Sequence, residues 1–152
     1  MQNNYQQQSV AGKNSVELIV ALYDGMVRFL HRAIGATEAG DVQGRRIAVK
    51  RVFDILMHLQ SRLRMDVGGP AKTLAEFYAA IFALCLEGSR LSSADRFRKA
   101  IECILAVREA WQQVALDPEV RRQSARPDSV PVPAVVSAQS DSGEALASRW
   151  TA

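Results

Sequence analysis

NSVELIVALYDGMVRFLHRA, residues 14–33, opens on a capping signal and then places apolar side chains at helical spacing. Asn14 can cap a helix while Glu17, three residues on, reaches back as in a capping box. Leu18, Leu22, Gly25 and Phe29 form one ridge along this helix, and Ile19, Tyr23, Met26, Leu30 and Ala33 form a second beside it. A helix on the outside of a globule needs an apolar stripe of about 100°, and this one carries roughly twice that. Two ridges can face two things, so the stretch predicts a bundle helix with apolar surface to spare.

Outward from there, the helix runs to about Glu38 and Gly40 ends it. Asp41 is placed to cap a second helix, ordinarily amphipathic, with Ala48, Val52, Ile55, Leu56, Leu59 and Leu63 on one stripe. Gly68-Gly69-Pro70 makes a turn and starts a third helix, expected from Ala71 to Glu87 and closed by Gly88-Ser89. Between Leu74 and Leu86 only Glu76 is charged, and Phe77, Tyr78, Ile81, Phe82, Leu84 and Cys85 cover most of the circumference. Ser92 or Ser93 can cap a last helix that carries Phe97, Ala100, Ile101, Ile104, Val107, Trp111 and Val114. Four helices with short linkers and no strand run predict an all-α, antiparallel up-and-down four-helix bundle over residues 14–115. The polar, Gln/Asn-rich residues 1–13 read as a mobile N-terminal segment. Residues 116–152, with Pro118, Pro127, Pro131 and Pro133, read as a disordered tail.

Composition narrows the function. A chain of 152 residues fits one domain, and 48% hydrophobic with 23% charged residues is the balance of a globular protein. The longest apolar runs are too short to span a membrane, and the start of the chain is unlike a secretory signal, so a cytoplasmic protein without membrane insertion is expected. Cys85 and Cys103 sit among apolar neighbours and read as core residues rather than a disulfide. The net charge of +3 is spread out: Arg46, Lys50 and Arg64 share an outer face with Asp54, Met57 and Gln60, which looks solvated and speaks against nucleic acid. Phosphate-binding, dinucleotide, nucleophile-elbow and zinc-protease motifs are missing, and His31 and His58 fall on the polar sides of different helices. No enzyme, cofactor or metal site is expected.

What remains is the surplus apolar surface of helices one and three, which a partner helix would fit. Two residues break local rules beside it. Gly25 sits mid-helix at a cost of about 1 kcal/mol relative to Ala, which suggests a close approach, by a partner or by a neighbouring helix. Arg108 lies on the apolar side of the fourth helix with Phe97 and Ile101 and needs a carboxylate, for which Asp24 is the candidate. The main rival is a homodimer in which the wide apolar faces meet each other.

The order of short motifs then becomes informative. Tyr5, Val10, the Asn14 cap, Leu22-Tyr23-Asp24-Gly25, Gly68-Gly69, Leu74 with Phe77-Tyr78, and Arg108-Glu109-Ala110-Trp111 follow one another without awkward gaps. This pattern, over roughly Tyr5 to Val114, resembles the flagellar export chaperone family FliS. Asn14-Ser15 stands where that family usually has Ser-Pro, Gly88-Ser89 where it has Ala-Asn, and the long tail lies outside the family core. The resemblance implies a four-helix chaperone that binds the C-terminal region of flagellin 1:1 in the bacterial cytosol, prevents early polymerisation and assists delivery to the type III export apparatus. It leaves room for an export-gate component or a co-chaperone as a further partner, and implies that Tyr5 to Val10 rests over a groove as a tethered competitor. Tyr5, Val10, Leu18, Leu22, Tyr23, Asp24, Gly25, Phe29, Leu74, Phe77, Tyr78, Ile81, Arg108 and Trp111 are the expected partner-binding residues.

Overall fold

The computed structural model describes residues 15–63, 70–117 and 119. The Asn14 cap, the Gly68-Gly69 turn, the N-terminal segment and nearly all of the tail lie outside these residues. Four helices follow in order: α1 (Ser15–Glu38), α2 (Val42–Ser61), α3 (Pro70–Arg90) and α4 (Ala94–Leu116), with no strand among the described residues. They close a ring in which α1 packs on α2 and α4, and α3 on α4 and α2; the α2–α3 seam is the most open of the four. The bundle is antiparallel and up-and-down, as expected from the short linkers.

The turn between α1 and α2 shows how the sequence sets a helix end. Gly40 takes φ 69°, which lets the Asp41 N–H reach the Ala36 carbonyl at 2.8 Å and the Gly40 N–H reach that of Thr37 at 3.2 Å. Asp41 then caps α2 by accepting from the Gly44 N–H at 2.9 Å.

The α3–α4 turn departs from expectation. Gly88-Ser89 does not close α3, which continues to Arg90. The left-handed position is taken by Ser92, φ 51°, and the Ser93 N–H bonds the Gly88 carbonyl at 2.9 Å, the same closure as at Gly40. Gly88 is instead a packing residue: a Cβ there would stand 2.8 Å from the ring of Phe97, so only glycine lets that ring seat against α3. Ser93 occupies the cap position of α4 without a side-chain cap bond, and the Ser92 hydroxyl accepts from Arg45 of α2 at 2.8 Å.

The core is built from the expected stripes: Ile19, Tyr23, Met26, Leu30 and Ala33 of α1, Val52, Leu56 and Leu59 of α2, and Phe97, Ile104, Val107 and Trp111 of α4 are all buried, and Val16 joins them at the start of α1. Each fully buried large apolar side chain contributes about 1.5–3 kcal/mol relative to exposure. Cys85 is buried and Cys103 half-buried, both as free thiols, and burial pushes the Cys85 thiol up to about 12. No described helix is long and apolar enough to cross a membrane.

Candidate functional site

The residues expected to hold a partner separate by depth. Tyr23, Gly25, Leu74, Tyr78, Ile81 and Trp111 are buried; Leu18, Leu22, Phe29, Phe77 and Arg108 are half-buried; Asp24 is exposed; Tyr5 and Val10 lie outside the described residues.

At the deepest level, three aromatic residues from three helices share a buried polar chain. The Trp111 indole N–H donates to the Tyr23 hydroxyl at 3.3 Å, and the Tyr23 and Tyr78 hydroxyls share a hydrogen bond of 2.9 Å. The two tyrosine rings meet edge to face at 6.2 Å. Burial outweighs these hydrogen bonds and pushes the Tyr23 phenol up to about 12, and Tyr78 higher still. This chain spans the bundle diagonal from α1 to α3 and fixes α4 to both. It satisfies every polar atom it buries, so it specifies the core without offering a free ligand group.

Toward the surface, Arg108 meets Asp24 as expected. Its Nε and Nη2 donate to the two carboxylate oxygens at 2.5 and 3.2 Å, a bidentate pair joining α4 to α1. The carboxylate raises the guanidinium pKa further, so the arginine stays charged on the flank of an apolar helix. Asp24 is about half exposed, which limits the pair to roughly 1 kcal/mol or less.

The surplus apolar surface of α1 is taken up largely by the bundle. One ridge is core, and the other runs along α2, where a Cβ on Gly25 would stand 3.2 Å from Cδ1 of Ile55. The mid-helix glycine thus serves a helix–helix crossing, leaving Leu18, Leu22 and Phe29 half-exposed on that edge. The surplus on α3 does reach solvent. Phe82 and Leu86 are 41% and 49% exposed on its α2 side, and Phe82 stacks on Phe53 of α2 with ring centroids 4.4 Å apart. Met57, one turn beyond Phe53, is 66% exposed.

The α2–α3 seam is therefore an open apolar groove with a Phe53–Phe82 floor. None of Phe53, Met57, Phe82 and Leu86 belonged to the expected binding set, although Phe82 lay within the wide apolar arc of α3. Phe53 gave a weaker signal, since it falls beside the stripe of α2 rather than on it.

Among the described residues no group of His, Cys, Asp and Glu could hold a metal. Comparison with known proteins agrees with a binding role. The family model described as flagellar protein FliS matches residues 1–118. The flagellar secretion chaperone FliS of Campylobacter jejuni is 31% identical over 120 residues, spanning 75% of this chain and 94% of that protein. With its four-helix bundle, its Leu22-to-Gly25 motif on α1 and a match covering the whole described bundle, the chain belongs to the FliS family of flagellar secretion chaperones, proteins that bind rather than catalyse.

Proposed function

We propose that this chain is a cytoplasmic chaperone for flagellin, binding its disordered C-terminal region 1:1, preventing premature polymerisation and assisting delivery to the flagellar type III export apparatus. The observation that carries the reading is the open α2–α3 groove, where Phe82 and Leu86 stay partly in water beside Met57 and the ring of Phe82 stacks on Phe53 across the seam. A disordered segment that folds into a helix on such a groove gains apolar burial and loses chain entropy, so it binds reversibly, as a cargo awaiting export must. A wrapped interface of about 2,000 Å² would offset the ordering cost.

The half-exposed edge of α1 at Leu18, Leu22 and Phe29 extends the contact surface on the far side of α2. Buried Tyr23, Tyr78 and Trp111 then act from beneath, holding the helices at the spacing the cargo meets. Co-purification tests the reading: a 1:1 complex should form with full-length flagellin and not with flagellin lacking its C-terminal region. Equal binding of both would sink it.

A further inference from the structure

The net charge of this protein is concentrated on one helix. Within Val42–Ser61, Arg45, Arg46, Lys50 and Arg51 face a single acid, Asp54, so α2 carries a net +3, as much as the whole chain. α3, with Lys72 and Arg90 against Glu76 and Glu87, is balanced. Arg45 is engaged with Ser92, whereas Arg46, Lys50 and Arg90 are exposed and take part in no ion pair among the described residues.

Helical spacing places these cations on the groove. On α2, Arg46, Lys50 and Phe53 recur at four and three residues, one face of a helix; on α3, Phe82, Leu86 and Arg90 recur at four and four. Two cross-helix contacts set the register: Phe53 against Phe82, and Arg45 against Ser92. Antiparallel helices in that register bring Arg46 and Lys50 level with Leu86 and Arg90. One end of the groove thus has an apolar floor with cations on both walls, and Asp54, four residues after Lys50, is the single carboxylate beside the α2 row. The other end, past Met57 and Ala79, carries a single cation of the α3 row, the exposed Lys72, about five turns before Arg90.

We infer that the α2–α3 groove takes an amphipathic helix whose apolar stripe is flanked by acidic residues at the end that lies between Arg46, Lys50 and Arg90. The apolar stripe supplies burial against Phe53, Phe82 and Leu86. The carboxylates set direction and register, because a reversed helix would put them where Lys72 is the one cation of the α3 row and leave Arg46, Lys50 and Arg90 unmatched. This deepens the flagellin reading by giving the chemistry of the segment that seats in this groove, and it rests on that reading only for the segment's source.

The test uses the full-length protein and three synthetic helical peptides that share one apolar stripe and carry Glu, Gln or Lys beside it at one end. The Glu peptide should bind about tenfold tighter than the Gln peptide at low salt, with the Lys peptide weakest, and the difference should shrink as salt rises. Arg46→Glu with Lys50→Glu, in a protein whose circular dichroism is unchanged, should reverse the order. Arg46→Gln with Lys50→Gln should level it, and Leu86→Ala should weaken all three peptides alike.

Equal affinities for the three peptides, or no binding of any, overturns the inference. So does a self-association that Leu86→Ala abolishes, which would make a second copy the occupant, or binding to phosphatidylglycerol vesicles with no binding of peptide. None of these outcomes decides the flagellin co-purification, so the two readings fail separately.

Discussion

The diagonal of the bundle and its α2–α3 seam are both aromatic, and they are opposites. Tyr23, Tyr78 and Trp111 are sealed from water and tied by two hydrogen bonds, whereas Phe53 and Phe82 stack at the surface with Leu86 and Met57 exposed around them. The difference teaches where this fold keeps its rigidity and where it keeps its adhesiveness. A polar tip on an aromatic residue demands one partner in one geometry, so the diagonal defines a single core. A phenylalanine makes no such demand, and its exposed face can accept whatever apolar stripe fits.

Removing the diagonal should have the largest effect. Trp111→Ala, which empties a fully buried site on three helices, is expected to cost about 3–5 kcal/mol in denaturant unfolding; a loss under about 1 kcal/mol would show that the diagonal does not organise the core. Next comes the contrast of two mid-helix glycines. Gly88→Ala forces the buried Phe97 ring to move and should destabilise by roughly 1–3 kcal/mol despite better helix propensity. Gly25→Ala meets only the end of a half-buried isoleucine and should be near neutral, its gain of about 1 kcal/mol in propensity offsetting a small shift. Equal losses at the two sites would mean that the tightness of the two contacts is the same.

Alkali probes the diagonal without mutation. Tyr23 and Tyr78 ionise near pH 10 when unfolded and at higher pH when folded, Tyr23 at about 12. The stabilisation is therefore complete below pH 10 and falls as pH rises through the folded values, by up to about 1.4 kcal/mol per pH unit for each tyrosine. A midpoint in urea that stays flat from pH 9 to 11.5 would contradict their burial. Arg108→Met should be milder still, within about 1 kcal/mol, since Asp24 is left in contact with water; unchanged stability and unchanged cargo binding together would remove any role for that pair. At the seam the effect on stability is also small. Phe82→Ala with Leu86→Ala should leave the bundle folded with a loss of about 1 kcal/mol, yet weaken cargo binding at least about tenfold, as expected of central apolar contacts.

The four helices, the Asp41 cap, the Gly40 stop and the Asp24–Arg108 pair were all legible in the sequence, because each is a matter of local chemistry or of a charge that must find its opposite. The binding surface was legible only in part. Apolar width on α1 and α3 signalled surplus, but the surplus of α1 is largely consumed against Ile55 and the core, and that of α3 opens toward α2 through Phe82 and Leu86. Gly88 looked like a stop because glycine ends helices often, and its real task, admitting the ring of Phe97, depends on a residue from the next helix.

Periodicity along the chain thus determined that there would be a bundle with apolar surface left over, and the motif order determined its family. Tertiary structure alone decided which seam stays open and which cations border it. Helical spacing places a side chain on its own helix; only the rotation and separation of neighbouring helices decide whether that side chain meets protein or water.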